Sequence, residues 1–563
     1  MLESIEDIKK TETWELYEKG RNYLQRMSVF TDTDRNYRMY NGNQWEGAKI
    51  EGIEPAQYNF IETIVNYKVS TINQREYIVH FSSENYELKS FRKNAKRLCD
   101  LLDKKAAKVW EKDQLDDKVR IISTDAAVND EGIIYVNYNE TEQSPENEII
   151  NKNNIQFGNE NSDDIQSQPY IIISQRKPVP ELRELAKLYG VGEDKIKYII
   201  GDNDTIDQTG EDSKQEKDNM ATLITKMWKD NGQVHYTKSV KYVELKKDIN
   251  TKLTLYPVSH FIWQNKKGSS RGEGIVRNLI PNQLELNKTL TRMLLNVKQN
   301  AYNQKVVNID KISNPDALNR VGGIIKVKGG ASVEDVNKVF SYLQPASMST
   351  DVSKVMADLI SITRDLKNAG DIATGDVNPE AASGKAILAV QQASQQPMNN
   401  QMSGLKKFVE DIARIWLDMW TIYTPDGMKL EEEIKDPQTG ETYTQVVNIP
   451  ASMLKNLKGA VKIDITPTSP YDKYAREMSL ENLLKQGYFN VQRLQELKVY
   501  AHVLPDNSVM DKMALEEAIA YMEEEQQKIA EINAQAQIMM SNANRFISEG
   551  PEAQADQLMA SAQ

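Results

Sequence analysis

Apolar residues recur at helical spacing through most of the chain and alternate in only a few stretches. Ile5, Ile8, Leu16 and Leu24 predict one or two helices over Ile5–Met27. Ile61, Ile64, Val65, Val69 and Ile72 predict another between Phe60 and His80, with Tyr77–Phe81 as a short strand. Leu88–Lys112 places Phe91, Leu98, Leu102 and Val109 on one face. Leu115–Val128 reads as a helix leading through Gly132 into the strand Ile133–Tyr138. Glu140–Gln168 is polar and Asn-rich and reads as a surface excursion with few apolar anchors. A strand at Tyr170–Ser174, a short helix at Pro180–Tyr189 and an exposed acidic loop at Gly201–Asp218 follow. Strands then alternate from Ala221 to Leu255, with Asp230-Asn231-Gly232 as a hairpin signal.

The second half is mostly helical. Ile275–Val297 and Val352–Asn368 read as helices, with a strand at Ile324–Val327 closed by Gly329-Gly330. A helical pattern covers Ala381–Ile422 and is interrupted only at Pro397. Beyond that proline the stripe Leu405, Phe408, Val409, Ile412, Ile415, Trp416 and Met419 keeps three-four spacing. Thr424–Thr468 is a compact insertion with Pro425-Asp426-Gly427 and Pro437–Gly440 turns and strands at Glu441–Ile449 and Ala460–Ile465. Helices at Tyr471–Lys485, Val491–Val499 and Val509–Phe546 complete an α+β, predominantly helical chain.

At 563 residues the chain is long enough for several compact units with buried cores. Against 70 Lys plus Arg stand 82 Asp plus Glu, a formal net charge of −12, which argues against tight global binding to DNA phosphates. It leaves room for a channel that DNA passes without sticking. Cys99 is the single cysteine, so neither a disulfide framework nor a cysteine-cluster zinc site is expected, and no cofactor is called for. The acidic start, Met1–Asp7, predicts no secretory signal, and no apolar run predicts a membrane span.

Three motifs resemble catalytic or ligand chemistry. Gly268-Ser269-Ser270-Arg271-Gly272 fits the G-x-S-x-G turn of a serine hydrolase, with Ser270 as nucleophile. That reading needs a downstream acid and then a histidine, and only His502 follows, so a plain strand-to-helix turn is preferred. Ala382-Ser383-Gly384-Lys385-Ala386 lacks both the earlier glycine and the hydroxyl of a phosphate-binding loop. His80, His235, His260 and His502 share no helical ligand spacing, so no metal site is expected. No catalytic residue is assigned.

Organisation is more informative. Two amphipathic helices, 398–423 and 470–485, flank the insertion 424–469, which is too long for a simple loop between neighbours. The stripe of Phe408, Ile412, Ile415 and Met419 would be shielded either by packing copies of that pair around an axis or by docking a plain helical hairpin on its own domain. Thr374-Gly375-Asp376, Pro379 and Ala382–Ile387, together with Gly272-Glu273-Gly274-Ile275-Val276, Leu279–Gln283 and Asn287-Lys288, resemble tailed-bacteriophage portal proteins. So do Gly322-Gly323-Ile324-Ile325 and Asp464-Ile465-Thr466-Pro467.

The resemblance implies a portal fold of wing, stem, clip and crown, assembled as a ring of about twelve copies with an axial channel. It places the wing at 1–397, stem helices at 398–423 and 470–485, the clip at 424–469, a tunnel-loop region at 486–503, and a helical crown and tail at 504–563. It implies a non-enzymatic virion component made in the host bacterial cytoplasm. Its partners would be double-stranded DNA bound without sequence specificity, the terminase large subunit, head-completion connector and tail proteins, and the major capsid and scaffolding proteins. Lys485, Gln486, Tyr488, Asn490, Gln492, Arg493 and Lys498 are then candidates to face the DNA, and Glu431, Glu432, Glu433 and Asp436 candidates for docking at the clip.

Overall fold

A computed structural model describes residues 9–45, 55–74, 76–82, 89–202, 219–301, 305–320, 323–328, 339–342, 351–367, 396–435, 442–450, 454, 462–468, 478–480, 482–486, 494–503 and 512–560. The chain divides into two units, residues 1–73 with 77–466, and residues 74–76 with 467–563.

The first unit opens with α1 (Glu12–Arg26), capped by the Thr11 hydroxyl accepting from Trp14 N, then α2 (Val29–Tyr40) and α3 (Phe60–Ile72). β1 (Glu76–Ser82), α4 (Lys89–Lys112) and α5 (Leu115–Asn129) lead into β2 (Glu131–Asn139) and β3 (Ser144–Ile150). Short β4 (Ile155–Phe157) starts a five-stranded antiparallel sheet. It continues through β5 (Tyr170–Pro178), β6 (Met220–Asp230), β7 (Gln233–Ser239) and β8 (Glu244–Asn250) in that order. Helices α6 (Val179–Leu188) and α7 (Glu193–Ile196) lie in the β5–β6 connection. The β6–β7 turn is the predicted one: Asn231 and Gly232 both take positive φ, 48° and 77°, which a two-residue hairpin twisted with its strands requires.

A second sheet, ordered β3-β2-β9, adds β9 (Val258–Ile262) antiparallel to β2. Then come α8 (Val276–Ala301), the two-stranded ladder of β10 (Lys305–Val307) with β11 (Phe340–Tyr342), and α9 (Asp351–Leu366). Gly329 and Gly330 lie outside the described residues, and Val327 makes a single bridge to Ile312. A 3-10 turn at Gln396–Met398, carrying Pro397, starts α10 (Asn399–Tyr423). β12 (Met428–Lys435) pairs with β13 (Thr442–Ile449), and β14 (Lys462–Thr468) pairs with β1.

One core runs through α3, α4, α5, β2, β9 and α10. The α10 stripe is its centre: Leu405, Phe408, Val409, Ile412, Ile415, Trp416 and Met419 are all buried by the chain itself. Phe408 meets the Phe261 ring at 6.1 Å, its carbonyl accepts from the Ser259 hydroxyl, and Trp416 Nε1 donates to Asn147 Oδ1. The expectation that sister copies shield Phe408, Ile412, Ile415 and Met419 is therefore corrected: β9, β2 and α3 already do so. Each such side chain contributes about 1.5–3 kcal/mol by leaving water, too much to leave for assembly.

The predicted surface excursion at 140–168 is corrected too. It forms β3 and β4 and buries Ile155 and Phe157, because its polar side chains find partners inside the body. Gln166, for one, holds the backbone N–H of Tyr256 and donates to its carbonyl.

α8 changes character along its length. Its first half is pinned by a buried amide ladder at i, i+4 spacing. Gln283 Oε1 accepts from Phe60 N and Ile61 N at 3.1 and 3.3 Å, and Gln283 Nε2 donates to Tyr58 O and Asn287 Oδ1. Asn287 donates on to Gln44, and the Thr291 hydroxyl accepts from Ala56 N. The predicted Leu279–Gln283 and Asn287 motif thus stitches the 56–61 segment to α8.

The second unit holds α11 (Leu494–Val503) packed on α12 (Lys512–Ala560) through Leu497, Ala501 and Ile519. At 49 residues, α12 is about 74 Å long.

Replacing Gln283 by Ala takes the buried acceptor from the Ile61 N–H and leaves the Phe60 N–H only its turn bond to Tyr58 O. Thermal and urea denaturation should show a loss of about 2–4 kcal/mol, against little change for Asn278→Ala on the exposed side of the same helix.

Candidate functional site

The G-S-S-R-G segment sits in the connection from β9 to α8, as a nucleophile elbow would, but the local physics is that of a structural clasp. Gly268 supplies the turn with φ +73°. Gly272 and Gly274 run so close to other backbone that a Cβ would meet Gln264 O and Asp130 O, or Ala127 O, at 3.0 Å or less.

Between these glycines, Ser270 is buried and its hydroxyl donates to Glu160 Oε2 at 2.7 Å. Arg271 bonds Glu160 through Nε and Nη2, Glu131 through Nη1 at 2.6 Å, and the carbonyls of Lys152 and Ile155. His260 Nε2 lies 2.7 Å from the other Glu131 oxygen, and Lys152 pairs with Asp130. The histidine thus faces Glu131, and the serine faces a carboxylate already engaged by arginine. The serine-hydrolase reading of Ser270 has no geometric support.

Charge balance explains why the cluster is tolerated. Burial pushes the Glu131 carboxyl up; Arg271, then His260 and Lys152, outweigh it and hold the group down at about 2. The same carboxylates raise Arg271 against the opposing effect of its own burial. One guanidinium therefore joins the start of β2, β4 and the approach to α8.

The next candidate surface is the α8–α9 pair. The two helices pack against each other, and Asn282 Nδ2 donates to the buried Thr363 hydroxyl at 3.0 Å near the anchored end of α8. Away from that end, Leu294, Leu295 and Val297 of α8 are exposed, Val297 at 63%. On α9, Val355, Ile362 and Leu366 keep helical spacing and are 60, 56 and 73% exposed. Val306, Ile309 and Ile324, in the segment joining the helices, are also exposed. Isolated exposed leucines are ordinary, but a row of them on one helix pair marks an interaction surface.

A sequence model of the phage P22-like portal protein family matches residues 173–563. This chain belongs to that family. A search of curated proteins finds no match. Family membership makes the chain a phage portal protein, a structural component of the virion capsid that works in a multimeric ring with capsid and packaging partners. No described helix is long and apolar enough to cross a membrane.

The sequence-predicted portal residues are dispersed. Glu431, Glu432 and Glu433 lie on β12 opposite Val446, Gln445 and Thr444, and Asp436 lies outside the described residues. Lys485 is exposed near a helix end and Gln486 follows in a turn. Lys498 is ion-paired with Glu523 of α12, which neutralises it within its own unit. Tyr488, Asn490, Gln492 and Arg493 lie outside the described residues. Sequence reasoning missed the exposed row on α8 and α9, although Leu294, Val297, Val355, Ile362 and Leu366 signal it by apolar positions beyond the needs of one helical face.

Arg271→Met should cost about 3–5 kcal/mol near neutral pH, because Glu131 and Glu160 lose their shared cation. The folded-state value of Glu131 lies below its ordinary 4.5, so its contribution is present above that pH and fades as pH falls toward about 2. In the variant, only His260 and Lys152 are left to oppose burial, so Glu131 rises and acid should narrow the gap in melting temperature to wild type. Equal melting near neutral pH would contradict the clasp.

Proposed function

We propose that this portal protein forms a closed ring at one capsid vertex, the conduit through which the terminase motor drives double-stranded DNA and from which DNA later leaves. The terminase large subunit, then head-completion connector and tail proteins, dock on the ring. Major capsid and scaffolding proteins surround it during assembly. The family match carries the reading. The net charge of −12 fits it, since a lumen with few phosphate contacts releases few counterions and does not trap the polymer.

Within this ring the stem is the α8–α9 pair, with 302–350 as the clip-like insertion at its far end. A stem at 398–423 would rely on a stripe that the chain buries itself, whereas α8 and α9 leave theirs open. The reassignment keeps the order of helix, small module and helix that the portal resemblance implies. It removes Phe408, Ile412, Ile415 and Met419 from the contact between copies and puts Leu294, Val297, Val355, Ile362 and Leu366 there. The amide ladder and the Asn282–Thr363 bond supply what such a stem needs at its root, a rigid attachment to the body.

Negatively stained particles of the purified chain should show rings with a central hole, and sedimentation velocity one large species. The double variant Val297→Asp, Leu366→Asp should sediment as a monomer with an unchanged circular dichroism spectrum. Both positions are exposed in the single chain, so the fold tolerates the charges. Wild-type protein that stays monomeric at every concentration, with or without scaffold, would contradict the ring. Rings that survive the double substitution would contradict the stem assignment.

A further inference from the structure

Between the two sheets and the end of α10 lies a cavity of ≈ 150 Å³, room for roughly five waters. Its walls include Tyr135 and Tyr138 of β2, Tyr236 and Lys238 of β7, and Met419 and Tyr423 of α10. The Tyr138 and Tyr423 rings lie 4.7 Å apart between centroids. A larger cavity beside β3 has its lysines matched, Lys118 with Asp113 and Lys112 with Glu142, so no cation there is left over for a ligand.

The smaller cavity is different, because two of its donors have no partner among the described residues. The Lys238 ammonium makes no hydrogen bond or ion pair among the described residues and lies 5.8 Å over the Tyr236 ring. The Tyr138 hydroxyl is buried without a partner among the described residues. Burial pushes Lys238 down from its usual value, and the nearby Lys246 and Lys177 push it further. Glu148 opposes them, but its carboxylate takes the Gln175 amide at 2.7 Å and does not reach Lys238. An anion in the cavity would satisfy both donors and relieve the repulsion among the lysines. Glu140 on the lining and Glu148 nearby disfavour a doubly charged phosphate, and the aromatic walls favour a short or flat apolar body.

We propose that this cavity binds a singly charged carboxylate, held by the Lys238 ammonium and the Tyr138 hydroxyl between tyrosine rings. The occupant is either a small free acid or an acidic side chain offered by another protein. The site lies in the body of the first unit and stands whether or not the ring reading does.

Calorimetric titration of the full chain with benzoate, butyrate, N-acetylglutamate N-methylamide, benzamide and inorganic phosphate tests the proposal. Benzoate or the blocked glutamate should bind saturably, and benzamide at least about tenfold more weakly. Lys238→Met should weaken the acid at least about tenfold, and Tyr138→Phe should weaken it less. If Lys238→Met does not fold, Tyr138→Phe, which removes one oxygen, carries the comparison. Preference for the free acids identifies a small molecule as occupant; preference for the blocked glutamate identifies a partner's side chain. Both uphold the site. Phosphate binding above either acid, benzamide binding equal to benzoate, acid affinity unmoved in the variants, or no acid binding at all overturns it.

Discussion

The structure depends on one buried hydrogen-bond ladder. Gln283, Asn287 and Thr291 occupy successive turns of α8 and bond backbone groups of the 56–61 segment, which is otherwise held by a turn bond from Phe60 N to Tyr58 O. Side-chain amides suit this task because each offers donors and an acceptor, and buried backbone left unmatched costs about 1–3 kcal/mol per group. By fixing half a helix in the body, the ladder lets the other half carry an apolar surface without a cover. Arg271 works alongside it, clasping β2, β4 and the entry to α8 into one base.

Much of the fold was legible because short-range chemistry decided it. The Asn231-Gly232 turn, the helices at 60–72 and 115–129 and the strand at 131–139 follow from turn residues and periodicity alone. The stripe from Leu405 to Met419 was legible as a buried face, but periodicity says that a face is covered and not by what. Phe261 and Ser259, more than a hundred residues away, cover it, and nothing local announces that. The 140–168 region is illegible for the complementary reason. Its polar residues looked solvated, yet Glu160, Gln166 and Gln168 are matched inside by partners such as Arg271 and Tyr256.

The portal resemblance was legible in Gly272–Val276 and Leu279–Gln283, and the structure gives those residues physical reasons. The glycines permit backbone approach, and Gln283 begins the ladder. The G-x-S-x-G look-alike dissolves on the same grounds, since its two glycines serve a turn and a close contact while its serine and arginine serve Glu160. The tyrosine-lined cavity had no sequence signature, because β2, β7 and α10 meet only in three dimensions.

The central claim, that the exposed rows of α8 and α9 meet between copies, is tested most directly by disulfide trapping. Cys99 is the single native cysteine and is buried, so engineered thiols report cleanly. Mixing a Val297→Cys chain with a Val355→Cys chain and oxidising under non-denaturing conditions should yield mixed covalent dimers in high proportion. Recovery of only uncrosslinked chains, from particles that remain rings by electron microscopy, would contradict it.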